Sequence, residues 1–285
     1  MMRFTDQPLE PFGETFLDLA IPTQVSLKSA LVFRMMKALS SRQCLPPEGH
    51  PQIELCFEEA LSNAMLHGNL LDPNRRVRVI LCADGERWGA IVEDEGEGFK
   101  PSDVPALDDL SALLRETGRG IRLMEAHLDE LLYNQKGNRA LLIRRRQLRA
   151  DREEVPAAVA REEAPAPAEA PSEPVTVLRD GDVDILQVNT PRLSDQAVDA
   201  LRQAVRETSS ARLLLDMERV RFLSSMGIGT MVHIHKVVAG RKGRLVLTGL
   251  TPSVRETLQV VKMLAAFRTF PDRASGLADL RRTEE

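Results

Sequence analysis

Residues 150–174 read ADREEVPAAVAREEAPAPAEAPSEP, and this stretch limits what the chain can fold into more than any other. Ala, Pro and Glu fill 19 of its 25 positions, with 8, 5 and 6 respectively, and it holds no Leu, Ile, Phe or Met. A segment with so little to bury cannot offset its conformational entropy by packing. Its prolines interrupt helix, and its Glu excess keeps it extended and solvated. It lacks the basic flanks of a Pro-rich docking ligand. The expectation is a linker at 150–174 between a first domain, 1–149, and a second, 175–285. At 285 residues the chain is long enough for two cores. Linker composition also explains the net charge of −4. Six Glu and Asp151 against Arg152 and Arg161 leave the linker at −5 and the remainder at about +1. The mild acidity therefore says little about partners.

Other function classes drop out on composition. Apolar residues at 43% and charged residues at 28% describe a globular chain. No apolar run approaches the length of about 18 residues that a membrane span needs. The opening MMRFTDQPLEPFGET lacks the apolar core of a signal peptide, so a cytoplasmic location is expected. Cys44, Cys56 and Cys82 form no CxxC pair and read as small buried hydrophobes. The basic run RRRQLR at 144–149 sits at a strand end beside the acidic linker and reads as a solvated edge, not a nucleic-acid contact.

Both halves alternate strand-like and helix-like segments, which predicts an α/β or α+β class throughout. In the first half, ETFLDLAI (14–21) reads as a strand and 24–42 as a helix carrying Leu27, Leu31, Met35 and Leu39. PQIELCFEEALSNAMLHG (51–68) reads as one continuous helix, RRVRVILCA and RWGAIVED as strands, 118–131 as a third helix and ALLIRR as a strand. In the second half the strands are VTVLRD, DILQVN, ARLLLDM and RLVLTG. Helices are expected near 194–207, 225–239 and 252–263.

Three short motifs in the first half carry chemistry. Glu59 and Asn63 are four apart on the second helix and share a face. An Asn amide oxygen can hold magnesium, which keeps waters and phosphates as its other ligands, and a nearby Glu can accept a proton. The alternative is two polar residues on a solvated face. Asp94 ends a strand in VEDEGEGF, where a carboxylate can accept a hydrogen bond from a base's exocyclic amine. Gly96 and Gly98 beside it would let backbone approach a flat ring. In TGRGIRLM, Gly118 and Gly120 precede a helix whose free N–H groups suit phosphate.

In this order the motifs resemble the GHKL ATPase superfamily. More narrowly, EEALSNAMLHGN, VEDEGEGF and TGRGIRLMEAHLDEL resemble the anti-sigma-factor serine kinases, over roughly residues 14–146. The resemblance implies an α/β sandwich that binds Mg-ATP. It matches Glu59 to the general base, Asn63 to the Mg2+ ligand, Asp94 to the adenine contact with Gly96 and Gly98 beside it, and Gly118, Arg119 and Gly120 to the phosphate-cradling lid. It also implies homodimerisation. A histidine kinase is disfavoured, because the helix at 24–42 contains no His to accept phosphate. Glu59 could instead activate water, as in the ATPase branches of the superfamily.

In the second half, LLLDMERVRFLSSMGIGTMV resembles the STAS domain of anti-sigma-factor antagonists, with coverage near 175–281. Ser225 stands where that family carries its phosphorylated serine. Ser224 replaces the usual Asp and Met226 the second hydroxyl residue. A serine at a helix start is also an ordinary N-cap, so both serines carry that second reading. Together the resemblances imply a partner-switching regulator that phosphorylates a STAS serine, in cis or in trans, and controls release of a sigma factor or other regulator. The alternative is a nucleotide-responsive binding module that sequesters such a partner without catalysis. A 25-residue linker spans roughly 25–30 Å if flexible and about 75 Å if extended, which gives effective concentrations near the millimolar range.

Overall fold

The computed structural model describes residues 2–45, 50–103, 118–146, 173–193 and 195–282. The expected linker, apart from Glu173 and Pro174, and the end of the basic run fall outside these residues. The described residues form two compact units.

The first unit is a mixed sheet covered by helices. Its strands are β1 (Met2–Thr5), β2 (Glu14–Pro22), β3 (Arg76–Ala83), β4 (Arg87–Asp94), β5 (Glu130–Asn134) and β6 (Arg139–Arg145). They lie in the order β1-β5-β6-β4-β3-β2, parallel only between β1 and β5. Strand period sets the two faces. Val77, Val79 and Leu81, Trp88, Ala90 and Val92, Leu131 and Tyr133, and Ala140 and Leu142 all point into one core. That core is closed by α1 (Lys28–Ser41) through Leu31, Met35 and Leu39, and by α2 (Pro51–Ser62) through Ile53, Phe57 and Leu61. The α/β sandwich expected from the resemblance is present. The opposite face is smaller: Ile80, Ile91, Leu141 and Ile143 pack under Leu9 and Phe12.

Three expectations are corrected. The helix predicted at 118–131 is α3 (Arg119–His127), and it stops because Leu128 is extended at φ −113°, ψ 150°. Leu131 and Tyr133 then alternate inward as part of β5, a strand that the helical reading had absorbed. The helix predicted at 51–68 is α-helical only to Ser62, and Asn63–Gly68 is a π-helix. Its signature is the i to i+5 bond from Asn69 N–H to Ala64 O at 2.8 Å. The basic run begins on β6, which lies inside the sheet and not at its edge. Arg144 donates to His127 O, and Arg146 to Asp84 O at 2.8 Å and Arg42 O at 2.6 Å.

The second unit has the strands β7 (Val175–Asp180), β8 (Val183–Val188), β10 (Arg212–Asp216), β12 (Arg244–Thr248) and β13 (Arg268–Phe270), in the order β13-β12-β10-β8-β7. Short strands β9 (Arg192–Leu193) and β11 (Phe222–Leu223) pair separately. β8, β10, β12 and β13 are parallel and β7 is antiparallel to β8. The central β10, RLLLD, is apolar almost throughout, as a parallel strand covered on both faces must be. On one face Ile185, Leu214 and Val246 meet Leu280 of α7 (Arg273–Arg281). α4 (Asp195–Glu207) and α5 (Ser225–Gly240) pack on each other and on the sheet, and α6 (Pro252–Val260) lies against β11. No helix among the described residues is long and apolar enough to cross a membrane.

Candidate nucleotide site

In the first unit Glu59 meets the start of α3, and Asp94 at the end of β4 meets Gly68 and Gly96. Glu59 is only 3% exposed, which overturns the solvated-face reading of the Glu59/Asn63 pair. It lies against the first turn of α3, and a Cβ at Gly120 would overlap its Oε2. Only a glycine lets that turn approach the carboxylate so closely. Asn63 keeps right-handed geometry at φ −59°, ψ −47°, so it stays on the same side as Glu59 even though the π-turn begins there. Its amide hydrogen-bonds the hydroxyl of Tyr133, the chain's single tyrosine. Burial, then the charge of Asp94, pushes that phenol up, so it stays protonated. The Tyr133 ring is held by Phe99 at 4.9 Å and Phe4 at 5.6 Å.

The wider π-turn brings Gly68 beneath Asp94, where a Cβ would overlap the Asp94 carboxyl group. Gly96 closes the other side: its N–H donates to Asp94 Oδ1 at 2.8 Å, and a Cβ there would run into Gly68 O. Burial pushes the Asp94 carboxyl up to about 6, against the pull of the Gly96 N–H and Lys136. Gly98 plays a different part from the one expected. At φ +75° it crosses the β5–β6 turn, where a side chain would strike Lys136 O.

Gly118 is the N-cap of α3, left-handed at φ 92° and without a side-chain cap. The start of this helix therefore carries first-turn backbone N–H groups at the positive end of its dipole, with Arg119 buried beside them. Sequence reasoning missed Gly68, Asn69, Tyr133 and Asn138. The first two stood in the quoted EEALSNAMLHGN motif, whereas the last two lie on and just after β5.

These features fit a nucleoside triphosphate. A partly desolvated carboxylate stands between two glycines, and a glycine-led helix start faces a buried Glu. Among the described residues no group of three or more His, Cys, Asp or Glu could hold a metal ion. A single amide oxygen suits magnesium, which takes its other ligands from phosphate and water. A cleft of about 940 Å³ lined by Asp84, Glu86, Arg87 and Arg146 lies at the opposite end of β3 and β4 and takes no part.

In the second unit the two serines separate. Ser224 is buried, and its Oγ accepts from Gly227 N–H at 3.1 Å and donates to Leu193 O at 3.0 Å. Ser225 is the first residue of α5 and half-exposed. Below them, Asp216 at the end of β10 is 2% exposed and accepts two bonds from Arg273, at 2.5 and 3.0 Å. Ser224→Ala is expected to lower stability by about 1–2 kcal/mol, read as an earlier urea midpoint of helical circular dichroism. An unchanged midpoint would remove the cap from the account.

No curated protein matches the chain. Similar solved structures include a Thermotoga maritima protein assigned as an anti-sigma factor antagonist, 18% identical over 38% of this chain and 95% of that one, with a TM-score of 0.36. A Planctomyces limnophilus anti-sigma-factor antagonist (STAS) domain protein is 21% identical, over 37% and 96%, with a TM-score of 0.34. A Mycobacterium paratuberculosis anti-sigma factor antagonist is 20% identical, over 38% and 93%, with a TM-score of 0.34. Two family models match the sequence itself: residues 22–144 match the histidine kinase-like ATPase domain and residues 185–276 the STAS domain.

Proposed function

We propose that the first domain, residues 1–149, is an ATP-dependent protein serine kinase. The linker at 150–174 joins it to a STAS domain at 175–285 that supplies or mimics its substrate. What supports this reading is the contact of Glu59, one helical turn before Asn63, with the α3 N-terminus, together with Asp94 held between Gly68 and Gly96. The same chain presents a half-exposed serine at a helix start.

Phosphoryl transfer is mainly positioning and charge stabilisation. Glu59 accepts the proton from the attacking serine Oγ as the Oγ–Pγ bond forms. The bond from Pγ to the bridging oxygen breaks, and ADP leaves. Asn63 Oδ1 would hold magnesium, which would supply neutralisation of phosphate charge. The first-turn N–H groups of α3 and Arg119 take up the charge on the phosphate oxygens, and Asp94 accepts from the adenine amine. On Ser225 the phosphate adds about −1.5 to −2 charge at the positive dipole end of α5, so the helix tolerates it while a partner surface is lost. The partner released is a sigma factor or another regulator.

The test is mass spectrometry after incubation with Mg-ATP. One phosphate on Ser225, absent in Ser225→Ala, is expected. An unmodified wild-type chain, or label persisting in Ser225→Ala, overturns the assignment. Transfer in cis gives a labelled fraction independent of protein concentration over a 100-fold dilution; a steep fall on dilution means transfer in trans. A second reading, a nucleotide-responsive binding module without phosphotransfer, is favoured by Met226 and Ser224 standing where the STAS kinase substrates carry a hydroxyl residue and Asp.

A further inference from the structure

We propose that Asn69 sets the base preference of the nucleotide site by gripping the backbone that aims Asp94; this rests on the nucleotide reading above. Asn69 is completely buried. Its Oδ1 accepts from Glu95 N–H at 2.8 Å. Its Nδ2 donates to Thr23 Oγ1 at 2.8 Å and to Arg76 O at 2.9 Å. Its own N–H closes the π-turn on Ala64 O. One side chain therefore ties the end of the π-helix to the segment after β2, the start of β3 and the turn after β4.

The bond to Glu95 N–H lies at a telling place. Between Asp94 and Glu95 there is one peptide unit, and both of its polar groups are held by asparagines. Asn138 Nδ2 donates to Asp94 O at 2.7 Å, and Asn69 Oδ1 takes the Glu95 N–H. Asp94 N–H is also bound to Asn138 O, at 2.9 Å. Glu95 is fixed further by Arg76 N–H, which donates to its carboxylate at 2.8 Å. With that peptide plane fixed from both sides, and Gly96 N–H on Oδ1, the direction of Asp94 Oδ2 is set. Among the described residues no hydrogen bond reaches Oδ2. A fixed acceptor takes the 6-amino group of adenine and rejects the 6-oxo group of hypoxanthine, whereas a loose one adapts to either.

Asn69 is thus a positioning residue, and the ratio of affinities for ATP and ITP reports on it where general destabilisation does not. Isothermal titration of the full chain with each nucleotide in Mg2+ is expected to show a wild-type preference for ATP of roughly 10–100-fold. In Asn69→Ala the ratio falls to about 3-fold or less, with ITP affinity within about 2-fold of wild type. Asn138→Ala releases the same peptide from its other side, is half-buried and shifts the ratio in the same direction; it decides the matter if Asn69→Ala does not fold. A wild-type ratio in a folded Asn69→Ala, or in Asn138→Ala where Asn69→Ala does not fold, overturns the inference alone, as does an equal loss for both nucleotides. A wild-type chain that binds both equally overturns base reading by Asp94 as well. One that binds neither overturns the nucleotide site itself.

Discussion

Glu59→Gln is expected to lower phosphoryl transfer to Ser225 by about 10²–10⁴-fold while leaving Mg-ATP affinity within about threefold. The asymmetry follows from placement. Glu59 is buried against the first turn of α3, so a bulkier or shifted side chain would move that turn. Gln has the same shape and leaves the Gly120 contact in place, removing only the ability to take a proton. Transfer is read with γ-labelled ATP, and binding by titration calorimetry on the same preparation. Unchanged transfer would show that Glu59 is not the base. A wild-type chain that binds Mg-ATP and transfers nothing would favour the non-catalytic module.

Asp94→Asn is expected to weaken ATP by roughly 10–100-fold, because an amide N–H₂ would face the donor amine of adenine. The same change is expected to stabilise the empty protein at pH 7.5 by about 1–2 kcal/mol, after allowance for water at the mouth of the site. The sign follows from the shift. Burial raises the Asp94 carboxyl from 3.8 to about 6, so between those values the folded state binds the proton more tightly than the unfolded chain. Its favourable contribution is complete below about pH 3.8 and is lost as pH rises through about 6. The gain from Asp94→Asn should therefore vanish toward pH 4. Wild-type ATP affinity should fall as pH drops through about 6, as the acceptor becomes protonated. Equal urea midpoints for the two proteins at pH 7.5 would contradict the burial account, and a flat affinity profile would remove Asp94 from base recognition.

Where the motif sat in the chain was legible. Glu59, Asn63, Asp94, Gly118 and Gly120 are local signals, a helical spacing and glycines beside strand and helix ends, and local spacing survives folding. Gly98 misled because alternate glycines after a strand look alike. That it answers to Lys136, 38 residues on, depends on which turn the sheet brings alongside. The pair Ser224 and Ser225 could not be divided by sequence, since either can open a helix. Leu193 O, delivered by β9, takes the hydroxyl of the first, which is buried, while the second is half-exposed. β5 was hidden because LMEAHLDEL keeps helical spacing beyond the point where pairing with β1 and β6 takes over.

By itself the sequence determined the α/β class of both halves and the local elements around Glu59, Asp94 and Gly118, because periodicity, turn chemistry and composition act over a few residues. Tertiary structure alone decided that Glu59 is buried and not solvated, that the helix after Ser62 widens into a π-turn, and that one asparagine grips the turn bearing Asp94. Each of those depends on what a distant strand or helix places alongside, and burial and hydrogen-bond partners are properties of that assembly.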